Sequence, residues 1–186
     1  MSVWDKKRDI MQRYDVTAQI YDIRYAEEQT AKIEAALKHV KVKAGRVLDA
    51  GCGTGILFSY VADRAETTVG LDVSRKTLIR AKERAKKYAN VHLIQADVDH
   101  MPFKSRIFSM VFVMTLIQNT PNPDETLNEI IRVAKANVVI VVTGLKKIFT
   151  KKTFEQLLTN AGLNVVAMED ENLKCRVAIC TKTCRD

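Results

Sequence analysis

"VLDAGCGTGI", residues 47–56, sets Asp49, Gly51, Gly53 and Gly55 on alternate positions directly after a short apolar run. A strand ending in an acid, a glycine turn and then "ILFSYVADRA" together describe the first crossover of a nucleotide-binding α/β fold. Glycine accepts positive φ and leaves the main chain open to close approach, and a following helix N-terminus offers free N–H groups. Two phosphate-binding patterns are departed from. In the dinucleotide fingerprint the third glycine comes three residues after the second, whereas Gly55 comes two after Gly53; and no Gly-Lys-Ser/Thr of a P-loop follows.

Downstream of this turn, short β-branched runs alternate with longer stretches of helical period, which predicts a parallel sheet covered by helices. The strands read as "RVLDA", "TTVGLD", "VHLIQA", "SMVFVM", "NVVIVVT", "LNVVAME" and "KCRVAICT". Only "EDENL" separates the last two, so they form a hairpin rather than another crossover. Ser74 is placed to cap a helix over "RKTLIRAKERAKKYA", with Leu78, Ile79, Ala81 and Ala85 on its buried side. Pro123 starts a helix whose apolar stripe is Leu127, Ile130 and Ile131, and "TKKTFEQLLTNAG" ends on Gly162. The expected fold class is therefore α/β: a Rossmann-like, seven-stranded, mostly parallel sheet with helices on both faces and an antiparallel C-terminal strand.

Upstream of Arg46 the character changes. "AEEQTAKIEAALKHV" reads as an amphipathic helix through Ile33, Leu37 and Val40, while "RYDVTAQIYDIRY" is aromatic-rich with little period. This segment reads equally as a lid and as an arm packed on the sheet. The chain is taken as one domain over 1–186, with an N-terminal arm and helix over 1–45 and a cofactor-binding core over 46–186.

The chain has 186 residues, 47% hydrophobic and 28% charged, a globular composition that argues against disorder. No apolar run reaches membrane-spanning length and "MSVWDKKRDIMQRYD" has no signal-peptide stretch, so the cytosol is the expected location and no membrane partner is expected. The net charge of +8 makes this a basic protein and favours anionic partners without choosing among them. Cys52 lies in the glycine turn, and Cys175, Cys180 and Cys184 match no paired C-x-x-C zinc spacing, so no metal is expected.

The motif after strand 1 resembles that of the class I S-adenosylmethionine-dependent methyltransferases, from about Arg46 onward. The family pattern acidic-x-Gly-x-Gly-x-Gly is matched by Asp49, Gly51, Gly53 and Gly55. The resemblance implies S-adenosyl-L-methionine as cofactor, its amino-acid end against this loop and its ammonium near Asp49. "VGLDVS" ends strand 2 with Asp72, where the family places an acid for the ribose hydroxyls. "QADVDHMPF" resembles the strand 3 ending, with Asp97 toward the adenine amine and the Val98 N–H toward a ring nitrogen. Each acid also has an ordinary role open to it, as a cap, a turn former or a salt-bridge partner. "TLIQNTPNPDETLNEIIRVAK" resembles the family segment after strand 4 through Pro121, Pro123, Leu127, Glu129, Arg132 and Val133. Gln118 and Asn119 stand where histidines are frequent, and the Asn/Asp-Pro-Pro-Tyr/Phe of many amine and glutamine methyltransferases is absent.

A sulfonium is already a strong electrophile, so the protein's task is alignment and exclusion of water, with a base needed only if the nucleophile arrives protonated. The residues expected near the methyl are Tyr14, Tyr21, His100, Gln118 and Asn119; the tyrosines read equally as core packing and His100 as a surface loop residue. Basic residues gather on the helix after Ser74 and at Lys146, Lys147, Lys151 and Lys152. The first group reads as a solvated face. The second begins on the ligand side of such sheets, so RNA or a translation-linked macromolecule is the expected acceptor. A small-molecule acceptor and a non-catalytic S-adenosylmethionine-binding module are the alternatives. Little chain is left for a specificity domain, so either the acceptor is small, or a large partner supplies much of the contact, or a second subunit completes the acceptor site.

Overall fold

The computed structural model describes residues 2–183. Its central strand, β1 (Arg46–Ala50), is buried at every residue after Arg46, which explains its near-continuous apolar run. It pairs in parallel with β2 (Thr67–Asp72) on one side and β4 (Phe108–Val113) on the other. With β3 (Val91–Gln95), β5 (Ala134–Leu145), β6 (Leu163–Glu169) and β7 (Cys175–Lys182), the sheet order is β3-β2-β1-β4-β5-β7-β6. β7 runs antiparallel to both β5 and β6, the expected hairpin.

Side chains alternate across this sheet with the period of 2 that the pleat imposes. Leu48, Val111 and Val113 face a core beneath α5 (Pro123–Val133) and α6 (Lys151–Asn160), together with Leu127, Ile130 and Phe154. Val47, Phe112, Val141 and Val177 face the opposite layer with Ile33 and Ala36 of α2 (Tyr21–Leu37). A third cluster joins Phe58 of α3 (Phe58–Val61) to Leu78, Ala81 and Ala85 of α4 (Arg75–Ala85).

Three expectations are corrected. The helix over "ILFSYVADRA" is only the single turn of α3 followed by a 3-10 turn over Ala62–Arg64, because the Asn90 amide donates to the Ala62 and Ala65 carbonyls and turns the chain toward β2. Ile79 is 55% exposed, and its expected place on the buried side of α4 goes instead to Thr77. The aromatic-rich stretch without clear period is helical: α1 (Val3–Thr17) leads into α2. Cys175 and Cys180 are buried in β7, while Cys184 lies outside the described residues. Among the described residues, no helix is long and apolar enough to cross a membrane.

α1 begins with a capping box, in which Ser2 and Asp5 satisfy each other's backbone N–H groups, yet it buries no residue of its own. Polar bonds to the core hold it in place. By contrast, the sheet is closely packed at Gly70 of β2, where an added Cβ would lie 2.7 Å from Phe58 Cζ and 3.0 Å from Cys52 Sγ and Leu93 Cδ2. Gly70→Ala is expected to cost about 1–3 kcal/mol through overpacking. Chemical denaturation would show the loss, and an unchanged midpoint would contradict this packing.

Candidate cofactor and acceptor cleft

The chain leaves β1 through a loop that folds back on β2: the N–H groups of Gly51 and Cys52 both donate to the Leu71 carbonyl, at 2.8 and 2.9 Å. Gly51, Gly53 and Gly55 all have positive φ, at 75°, 53° and 78°, but their surroundings differ. A Cβ on Gly55 would collide with the Phe58 ring, so this glycine lets the loop pack against α3, and it does not line the cleft. A Cβ on Gly51 would lie 2.9 Å from Leu116 Cδ1. At Gly53 a Cβ would meet nothing within 4 Å, so its main chain faces open space.

That space is a cleft at the C-terminal ends of β1 to β4. Gly51, Gly53, Asp72, Asp97 and Val98 line it. Asp49 lies just behind the glycine loop, in a smaller pocket that shares Gly51, Gly53 and Tyr21 with the main cleft. Its carboxyl is 2% exposed, and no cation pairs with it among the described residues. Burial, helped by the nearby Asp72 charge, pushes the Asp49 pKa up to about 8.

Asp72 accepts from the Gly53 N–H through Oδ2 and from the Ser74 N–H through Oδ1, both at 2.8 Å. Burial pushes its carboxyl up, and those N–H groups work against the shift. Ser74 caps α4 by accepting from the Thr77 N–H, and donates to Asp15 of α1 at 2.5 Å. Asp97 accepts from the Asp99 N–H at 3.0 Å, and Lys7 of α1 lies 2.6 Å from both Asp97 Oδ2 and Asp99 Oδ2. Thr126 donates to Asp99 at 2.6 Å, while Glu129 takes the Met101 N–H and pairs with Arg132. Arg132 in turn donates to the Met101 and Phe103 carbonyls. The Leu-x-Glu-x-x-Arg-Val pattern thus fastens the loop that carries Asp97 to α5.

Tyr14, Tyr21 and Asn119 line the cleft beside Met114, Thr115 and Leu116. The Asn119 amide donates to Tyr14 Oη at 2.9 Å and to the Thr115 carbonyl at 2.7 Å. Two expected residues are elsewhere: His100 points to solvent, with its side chain 69% exposed, and Gln118 does not line the cleft. Thr115, at the tip of β4, has φ 58°, a conformation that costs a β-branched residue about 1–3 kcal/mol. Lys32 of α2 is 1% exposed and reaches both Glu28 and the Thr115 hydroxyl, at 2.7 and 3.1 Å. Sequence reading passed over Lys7, Gln29, Lys32, Asp99 and Thr115. For Lys32 a signal existed, because Gln29, Lys32, Ile33 and Ala36 share one helix face and a lysine there interrupts an apolar stripe.

With this geometry in place, the comparisons are decisive: the profile of a family described as "Methyltransferase domain" matches residues 41–178. The chain belongs to the methyltransferase family. Its fold is that of the class I S-adenosylmethionine-dependent methyltransferases. This methyltransferase is 31% identical over 150 residues to a malonyl-[acyl-carrier protein] O-methyltransferase of Marinomonas sp., covering 79% of this chain and 55% of the relative. It is 29% identical over 128 residues to a phosphatidylethanolamine N-methyltransferase of Cereibacter sphaeroides, covering 67% of this chain and 63% of the relative. The chain thus spans somewhat more than half the length of these curated relatives.

Among solved structures, the complex between the Haloferax volcanii Trm112 methyltransferase activator and a methyltransferase gives a TM-score of 0.80 at 15% identity, covering 92% of this chain and 98% of that one. A SAM-dependent methyltransferase of Aquifex aeolicus gives 0.74 at 18%, covering 97% and 98%. At such identities the likeness is one of fold.

The family's cofactor fits the residues present: an open main chain at Gly53, a buried carboxyl without a counter-charge at Asp49, and acids at the next two strand tips. Because the folded protein keeps a proton on Asp49 that the unfolded chain releases near pH 4, this group's contribution to stability falls as pH rises from about 4 to 8. An ammonium placed beside it restores its charge. S-adenosylhomocysteine binding at pH 7 is therefore expected to release close to one proton, seen as buffer-dependent calorimetric heats, and Asp49→Asn abolishes the release. Binding without proton release in the unsubstituted protein contradicts the assignment.

Proposed function

We propose that this methyltransferase transfers a methyl group from S-adenosylmethionine to a small, largely apolar acceptor. The cofactor supplies an electrophilic methyl on a sulfonium; Asp49, Gly51, Gly53, Asp72, Asp97 and Val98 are the residues assigned to hold it. The carrying observation is the position of α1. Through Lys7, Ile10 and Tyr14 it roofs the cleft, leaving an acceptor space bounded by Met114, Leu116, Tyr21 and Asn119. A roof so close to the strand tips favours a compact acceptor over a polymer. The relatives are named for a malonyl group on acyl-carrier protein and for phosphatidylethanolamine, neither of them a nucleic acid.

The basic helix gives little support to an RNA acceptor. Arg75, Lys76, Arg80 and Lys82 of α4 are exposed to solvent, and Arg84 is spent on Asp22 and the Thr54 carbonyl. A macromolecular acceptor remains the second reading because Lys147, Lys151 and Lys152 stand exposed just after the C-terminal end of β5. The likeness to the methyltransferase crystallised with an activator supports a second subunit in the same reading.

Titration with S-adenosylmethionine and NAD tests the cofactor, and labelled methyl offered to small-molecule and RNA fractions tests the acceptor. The expected results are binding of S-adenosylmethionine alone and label in small molecules; label in RNA moves the conclusion to the second reading. Asp72→Ala is expected to weaken cofactor binding at least tenfold with little change in thermal midpoint, and Gly53→Val to weaken it at least tenfold and also to lower the midpoint, because a β-branched residue is strained at a φ of 53°. The first removes hydrogen-bond acceptors and the second fills the open approach. Unchanged affinity in both would contradict the cofactor assignment.

A further inference from the structure

Two costly features converge on one hydroxyl. Thr115 is held at positive φ, and Lys32, a fully buried ammonium, donates to Thr115 Oγ1 at 3.1 Å. The Gln29 amide nitrogen lies at the same distance from that oxygen, and the Gln29 amide oxygen, also at 3.1 Å, takes the Thr115 proton. With Lys32 and Gln29 Nε2 on its lone pairs, the Thr115 hydroxyl can meet a ligand only as a donor, by turning its proton away from Gln29 Oε1. That proton turns either to Gln29 or into the cleft.

The two tyrosines of the cleft are arranged alike. Tyr14 Oη accepts from Asn119, and Tyr21 Oη accepts from Gln29 at 3.3 Å. Among the described residues neither phenol has an acceptor for its own proton, and burial raises both above the ordinary tyrosine value, so both stay protonated. The three residues that carry these hydroxyls all line the cleft. Behind Thr115, two ammonium groups, Lys32 and Lys174, stand around the carboxylate of Glu28, while the Asp72 charge acts on both tyrosines.

Among the described residues no free base lines this part of the cleft, where Met114, Leu116 and Asn119 complete the lining; Asp49, in the adjoining pocket, is assigned to the ammonium of the cofactor. Asp72 is bonded to main-chain N–H groups, and Asp97 and Asp99 are paired with Lys7. A nucleophile here must arrive already deprotonated, and it must offer lone pairs to several donors.

We infer that the acceptor is a carboxylate, bound by the hydroxyls of Thr115, Tyr14 and Tyr21, with Lys32 as the positioning residue behind Thr115. This rests on the methyltransferase reading above and names the substrate class of the same site. Methyl transfer to a carboxylate moves no proton: an oxygen lone pair forms the C–O bond, the C–S electron pair stays on sulfur, and the two opposite charges cancel. The product is a methyl ester, which keeps neither the charge nor the full set of lone pairs that the donors hold.

The test is to saturate the protein with S-adenosylhomocysteine and titrate it with benzoate and with benzylamine, near-isosteres of opposite charge, following binding by NMR. Benzoate is expected to bind at least tenfold more tightly. That preference is lost in Thr115→Val, in Tyr21→Phe and in the paired change Lys32→Met with Glu28→Met, which avoids stranding Glu28. Thr115→Ser retains it, and S-adenosylhomocysteine affinity stays within threefold throughout. Equal affinities, or tighter benzylamine, overturn the carboxylate. A preference that survives all the variants overturns the assignment to these residues. Failure of the unsubstituted protein to bind S-adenosylhomocysteine overturns the methyltransferase reading beneath both.

Discussion

The position of β1 between β2 and β4 is the constraint on which the rest of this molecule depends. The chain winds outward from β1 through β2 to β3, then returns across to β4 on the other side of β1. The loops leaving β1 and β4 therefore diverge over opposite faces, and a crevice opens between them at the strand tips. Asp49, Asp72, Asp97 and Thr115, separated by as many as 66 residues in sequence, arrive at one place because four parallel strands end there. Even α5, remote from the crevice, serves it by tying down the loop beyond β3 through Thr126, Glu129 and Arg132.

How much of this was readable depends on how local each signal is. Strand order and the glycine loop are written in short windows: a buried parallel strand needs an unbroken apolar run, and a tight turn needs glycine, so β1 and its loop stand out without tertiary knowledge. Gly53 and Gly55 show the limit of that reading. Both have positive φ, yet one faces open space and the other a phenylalanine from its own α3, a difference fixed by packing rather than by the motif. The arm was least legible. α1 buries nothing, so no apolar stripe announced it, and its place is set by Lys7, Tyr14 and Asp15 meeting partners 59 to 105 residues away.

Several unfavourable features gather at the strand tips. A carboxyl without a counter-ion and a β-branched residue at positive φ line the two adjoining pockets, and a buried lysine reaches the second of these, while the two main cores are assembled largely from aliphatic and aromatic side chains. Local consistency holds across the scaffold and fails at the strand tips, as expected where a sequence has been shaped by binding as well as by folding.

α1 is tied to the domain differently from the other helices. None of its residues is fully buried, and Ile10 and Tyr14 are half-buried against the cleft, so its release would uncover little of the main cores. What resists that release is a small set of ionic and hydrogen-bonded contacts to Asp97, Asp99, Ser74 and Asn119, all at the rim of the cleft. α1 is thus the part of the cleft wall held chiefly by polar contacts, and those contacts, unlike the apolar cores, weaken as ionic strength rises.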